Sequence, residues 1–381
     1  MKNSNSINGF PVNCKRKRED QSAQLSPISL KIPKFINILA AALVLLLVPA
    51  GCNDDPVSPV SDSEKSLLLK NHHSLSVPGE PELLVSGLQG AAGSAIGPGG
   101  ALYVTEPSIG RISRIDPRTG EVTTFVSDLP PAIVIFPYFS LGGVYDVTFI
   151  GGTAYALVTL VDSSVGGNHV TGIYRIDGPS SYTEIADIGQ FSIDNPPGTP
   201  FDVASGVQFA IETYRGGFLV TDGHHNRVLH VTTGGIITEI KTFGNIVPTG
   251  LALSGNSIYM AEAGAAPHLP QDGKVVSFSP NSSGVSTIAT GAPLAIDVEF
   301  NRGRTLFALA QGDWDGFMPG SPAEPDTGSL LRANPDGTFT TIADELDRPT
   351  SLEFIQNTAY IITMDGEVWT VANAASPPFG M

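Results

Sequence analysis

The sequence predicts an all-β fold: a six-bladed β-propeller of four-stranded antiparallel blades, closed into a ring by the first strand of the globular part. Three observations predict it. The chain of 381 residues carries 42 Gly and 30 Pro, and many of the glycines fall between short apolar runs, where tight turns need them. The stretch Gly206 to Phe243, GVQFAIETYRGGFLVTDGHHNRVLHVTTGGIITEIKTF, reads as four such runs in succession. Similar stretches start at Gly93, Tyr145, Pro248, Ile296 and Pro349, about 40 to 60 residues apart, close to the blade period of propellers. No amphipathic helical pattern separates them, which sets aside a βαβ fold or a helical solenoid, and a sandwich would not repeat one strand order so regularly.

Residues 1–51 read as a leader. Lys15-Arg16-Lys17-Arg18, Lys31 and Lys34 precede the apolar run Phe35 to Val48, and small residues follow; this is the charged, apolar, small-residue order of a secretory signal. The run has 14 residues, short of the roughly 20 that span a bilayer. Val48-Pro49-Ala50-Gly51-Cys52 resembles the lipobox of bacterial lipoproteins, with Pro49 where an aliphatic residue is usual. Cys52 is the expected lipidation site, and a periplasmic or cell-surface location follows, with secretion as the outcome if Cys52 stays unmodified. Residues 52–78, rich in Ser, Pro and Asp, read as a disordered tether.

The chain has two cysteines, Cys14 and Cys52, so the globular part, residues 79–373, has no thiol for a disulfide or a Cys-ligated zinc. Its stability must come from packing. The leader holds seven basic and two acidic residues, leaving 14 basic against 35 acidic, a net of −21, against −16 for the whole chain. Such a surface repels phosphate backbones, so no nucleic-acid partner is expected, and cations are the natural small ligands.

Residues 83–88, Leu-Leu-Val-Ser-Gly-Leu, match the end of the first repeat, Thr124 to Leu129, yet no inner strands precede them. The last repeat, in turn, has three strands before Pro377-Pro378 ends it, and residues 374–381 read as a tail. Pairing residues 83–88 with Glu367 to Ala372 would satisfy an open edge and close the circle.

Gly217-Phe218-Leu219-Val220-Thr221-Asp222-Gly223-His224-His225-Asn226-Arg227-Val228-Leu229, the segment Val247 to Leu253 and Gly328 to Arg332 resemble the ScyD/ScyE family of exported bacterial proteins. The likeness covers roughly Pro81 to Ala372. It implies a six-bladed propeller akin to NHL-repeat proteins and, more distantly, to the gluconolactonase type. No activity comes with it. The insertion Asp187 to Ser205 and the acidic, Pro-rich loop Asp313 to Thr327 depart from the pattern.

No nucleophile elbow, phosphate loop, His-Glu-x-x-His or EF-hand spacing occurs. Candidate sites come from register instead. Aligning the inner strands stacks Gly93, Asp146, Gly206, Gly250, Asp297 and Ser351, and the ends of the second strands stack Glu106, Val158, Asp222, Glu262, Ala310 and Thr363. The five acids, Glu106, Asp146, Asp222, Glu262 and Asp297, are expected at one face, where Ca²⁺ would relieve their repulsion; the alternative is that they are solvated or cap backbone N–H groups. His224, His225 and Asn226 form the densest polar connection and a candidate ligand site, though an extended segment would point the two histidines apart. Trp314, between Asp313 and Asp315, either binds a sugar or cation or folds back over a blade edge. Two functions remain open: a tethered module binding a protein, peptide or glycan through one face, and a divalent-metal hydrolase of the gluconolactonase kind.

Overall fold

The computed structural model of the chain describes residues 77–199 and 201–375; the leader, Cys52, the tether as far as residue 76 and residues 376–381 lie outside the described residues. Six four-stranded antiparallel sheets form the six-bladed propeller, and one short hairpin is added. Strand β1 (Glu82–Val85) belongs to the last blade. Blade one is β2 (Ser94–Ile96), β3 (Leu102–Glu106), β4 (Arg111–Ile115) and β5 (Val122–Val126). The hairpin β6 (Val134–Ile135) and β7 (Ser140–Leu141) precedes blade two, β8 (Gly143–Ile150), β9 (Thr153–Thr159), β10 (Gly172–Gly178) and β11 (Ser181–Asp187). Helix α1 (Ile188–Asp194) leads to blade three, β12 (Gln208–Tyr214), β13 (Gly217–Asp222), β14 (Arg227–Thr232) and β15 (Ile237–Thr242). Blade four is β16 (Pro248–Ser254), β17 (Ser257–Glu262), β18 (Lys274–Phe278) and β19 (Val285–Thr290). Blade five is β20 (Ala295–Phe300), β21 (Leu306–Ala310), β22 (Gly328–Ala333) and β23 (Phe339–Leu346). Blade six has β24 (Pro349–Ile355), β25 (Thr358–Thr363) and β26 (Val368–Val371), and takes β1 as its outer strand.

Glu82 pairs with Thr370 and Leu83 with Trp369, so the ring closes as the sequence predicts. Each inner strand touches the next, and β24 returns to β2. A blade cannot bury both faces alone, so the apolar clusters sit between blades. Tyr103 of blade one meets Phe149 of blade two at 4.7 Å, Tyr155 meets Phe218 at 4.7 Å, Tyr259 meets Phe300 at 4.9 Å, and Phe307 meets Phe354 at 4.7 Å. The second strands β3, β13 and β21 are buried at every residue, because neighbouring blades cover both their faces. That is why Leu102-Tyr103-Val104, Phe218-Leu219-Val220 and Leu306 to Ala310 read as unbroken apolar runs rather than alternating ones.

Polar staples hold every seam near the axis. Thr105 Oγ1 donates to Tyr145 O, Thr221 Oγ1 to Thr249 O, Thr249 Oγ1 to Ala295 O and Thr350 Oγ1 to Ala92 O, all within 3.0 Å. Thr159 and Gln208 join blades two and three, and Leu352 N donates to Asp297 between blades five and six. Antiparallel order sends the second-to-third loops and the blade-to-blade loops out of one face of the ring. The larger insertions gather there.

Candidate functional site

The inner strands bring five carboxylates into the central channel: Asp146, Glu212, Asp297, Glu299 and Glu353. Side chains two apart on a strand share a face, so Asp297 and Glu299 project to the same side of β20 and Ser351 and Glu353 to the same side of β24. Asp146 accepts from Val147 N and from Ile211 N of the next blade, both at 2.8 Å. Asp297 does the same with Val298 N and with Leu352 N of blade six, again at 2.8 Å. Each has a glycine beside it on the preceding blade. A Cβ on Gly93 would lie 2.2 Å from Asp146 Oδ1, and one on Gly250 would lie 2.3 Å from Asp297 Oδ1. A glycine, an aspartate and a backbone N–H on three successive blades thus form a unit, and the ring contains it twice, three blades apart.

Burial pushes the Asp297 and Glu212 carboxyls up to about 7, and it raises Asp146, Glu299 and Glu353 well above the usual carboxylate range; repulsion from neighbouring carboxylates adds to this at Glu212, Asp146, Glu299 and Glu353. Tyr145, beside Asp146, is pushed up to about 12 by burial and by that carboxyl.

The other three predicted acids are set apart from the channel. Each ends a second strand and faces a base that begins the third: Glu106 opposite Arg111, Asp222 opposite Arg227, Glu262 opposite Lys274. Arg111 Nη2 lies 2.6 Å from Glu106, and Ser113 and Gln89 N also donate to it. Burial raises the Glu106 carboxyl, but these partners outweigh it and the net movement is downward. Lys274 Nζ stands 3.2 Å from Glu262, where burial prevails and the pKa is raised.

The loop after β13 is more tightly built than sequence reading foresees. His224 and His225 lie in a turn, not an extended segment, and the turn brings their rings to 5.7 Å rather than pointing them apart. Together they grip one residue: Val203 N donates to His224 Nε2 at 3.2 Å, and His225 Nε2 donates to Val203 O at 3.1 Å. Burial, then the neighbouring His225, lowers the His224 pKa. Asn226, at φ 55°, accepts from Ile246 N and Val247 N at 2.8 and 2.9 Å. Arg227, 1 % exposed, is the hub that sequence reading missed. It reaches Asp222 at 3.4 Å, Ser192 of α1 at 2.9 Å and Asn195 O at 2.9 Å, tying α1 and the insertion after it to blade three. Burial raises the Asp222 carboxyl, but hydrogen bonding from His225 and the charge of Arg227 prevail and lower it.

Trp314 folds back. Its Nε1 donates to Ser321 Oγ at 2.9 Å, and its ring packs 5.2 Å from His268 in a small cluster with Ala263 and Ala323. The exposed aromatics of that loop lie elsewhere. Phe317 is 54 % exposed, and it meets Tyr138, 49 % exposed, from the β6–β7 hairpin. Tyr138 Oη donates to Asp315 Oδ2 at 2.6 Å.

No family model matches the chain, and no curated protein matches its sequence. Among solved structures it is similar to a gluconolactonase from Xanthomonas campestris, at 12% identity and TM-score 0.54, covering 78% of this chain and 90% of that one. A protein described as a gluconolactonase candidate matches at 13% identity and TM-score 0.51, over 78% of this chain and 92% of that one. At these identities the likeness shows the fold alone, a propeller.

Among the described residues no three His, Cys, Asp or Glu side chains are grouped to hold a metal ion. The donor set explains why. The channel carboxylates hold backbone N–H groups or face one another, and the acids at the second-strand ends are held by Arg or Lys.

Proposed function

We propose that this chain is a binding propeller of the ScyD/ScyE kind, exported, anchored to a membrane through Cys52, and engaging a partner through the loop-bearing face of the ring. The observation that carries this reading is the exposed aromatic pair Tyr138 and Phe317, held in place by the Tyr138–Asp315 hydrogen bond between two insertions 177 residues apart. Large aromatic side chains fixed on a rigid scaffold supply contact area at little entropic cost. The test is photo-crosslinking in cells. A photoreactive residue at position 138 or 317 should capture a partner, and one at position 236, in a turn on the opposite face, should not. Capture from 236 alone would overturn the reading.

The five carboxylates of the channel favour a second reading, a divalent-metal hydrolase of the gluconolactonase type with Ca²⁺ as the candidate ion. Its donor set argues against it, since Asp146 and Asp297 are committed to the blades' backbone. Metal content of the purified protein, melting with calcium and with chelator, and a lactone panel separate the two. Equal melting temperatures and no hydrolysis are expected from the binding module.

A further inference from the structure

The two insertions that meet at Tyr138 and Asp315 come from opposite sides of the ring. One lies between blades one and two, the other within blade five, and both leave the same face. Their contact makes an arch over the channel mouth on that face. It is a built structure: Tyr138 packs edge-on to Phe317 at 5.6 Å, Phe136 stacks on Phe139 at 4.6 Å within the first insertion, and Asp315 also accepts from Phe317 N and Ser321 Oγ.

The arch carries exposed apolar side chains. Besides Tyr138 and Phe317, Ile133 and Ile135 of the first insertion are 38% and 67% exposed. Its border is acidic: Asp313 and Glu324 are exposed on the blade-five loop, with Asp326 next to them in the direction of Arg348. Neither residues 130–142 nor residues 313–327 contain a Lys or Arg. Exposed apolar side chains flanked on one side by acidic groups mark a surface for a partner carrying the opposite sign.

We infer that the arch is a docking site for a cationic, apolar peptide segment of a partner protein. Its aliphatic or aromatic side chains lie on Ile133, Ile135, Tyr138 and Phe317, and its Lys or Arg residues meet Asp313 and Glu324. Exposed aromatic faces add attraction for those cations. The inference rests on the binding-module reading and names the class of partner for it. A glycan would use the aromatics but leave the acidic border without a role. A second copy of this chain would bring like charge to like.

The experiment uses the purified full chain and a short fluorescent peptide of alternating Lys and Leu, with Lys/Ser and Glu/Leu peptides of the same length, read by anisotropy. The Lys/Leu peptide should bind, and the other two should bind at least about tenfold more weakly. The double variant Tyr138→Ser/Phe317→Ser should weaken Lys/Leu binding about tenfold or more, also at high salt, where exposed charge is screened. Asp313→Asn/Glu324→Gln should weaken it mainly at low salt. Ile236→Ser, 67% exposed on the opposite face, should change nothing. All the substituted residues are exposed, and unchanged melting temperatures confirm that the variants fold. Lys/Leu binding that survives both double variants, or equal binding of the Lys/Ser peptide, would overturn the arch as the site. Should crosslinking from positions 138 and 317 still capture a partner in that case, the binding-module reading stands and only the class of partner is wrong.

Discussion

At the scale of single residues, the glycines at the channel make the sharpest prediction. Gly93→Ala and Gly250→Ala each place a methyl where the neighbouring aspartate stands, so each should cost about 1–3 kcal/mol in urea unfolding, as overpacking does. The channel carboxylates predict a dependence on pH. Glu212 is pushed up to about 7 from an unfolded value near 4.5. Between those values the folded state binds more protons, so stability falls as pH rises through that window, and the loss is complete above the folded pKa. Glu212→Gln keeps an oxygen for Thr213 N and Oγ1 and cannot ionise. It should match the wild type at pH 4 and exceed it by roughly 1–3 kcal/mol at pH 8. Equal stability at both pH values would show that Glu212 is solvated. Asp146 and Asp297 were legible in the sequence because the repeats align at that position. Glu299 and Glu353 were equally within reach, two residues on from Asp297 and Ser351 along the same strand face. Arg227 was not legible, since nothing in its repeat shows that α1 will cover it. Removing its charge by Arg227→Met would leave Asp222 buried without its cation, and a loss of about 3–5 kcal/mol in urea unfolding is expected.

At the scale of elements, strand β1 carries the argument. The repeat count left an outer strand over at one end of the domain and a blade short of one at the other, so the closure could be read from the sequence, and the observed pairing with β26 agrees. The hairpin β6–β7 and helix α1 could not be read this way. They are insertions outside the period, and the apolar exposed run around Ile135 resembles a core strand in sequence. The histidine turn was misread for a related reason: polar residues between two strands do not announce whether they extend or curl. Of the two tryptophans, Trp314 and Trp369, only Trp369 pairs with β1. Trp314→Phe therefore leaves one intrinsic reporter of closure. In that background a chain starting at residue 87 should show altered Trp369 emission and lower stability, and its bare β26 edge should promote self-association visible by sedimentation. An unaltered emission spectrum and a monomeric species would show that β1 is dispensable.

At the scale of the whole molecule, the ring has no free end. Every seam is stapled near the axis and filled with apolar side chains, so loss of one blade withdraws support from two neighbours. Unfolding followed by Trp fluorescence and by far-ultraviolet circular dichroism should coincide in a single transition. The closure has another consequence. Gly79 N donates to Ala372 O at 2.7 Å, and Thr370 Oγ1 reaches Glu82 O, 288 residues away, at 3.3 Å. The point at which the chain opens is thus a convention of the gene and not a demand of the architecture. A circular permutant that joins residues 375 and 77 by a short Gly/Ser linker and begins at the exposed Gly244 should assemble the same propeller, with every blade then made from strands consecutive in the chain.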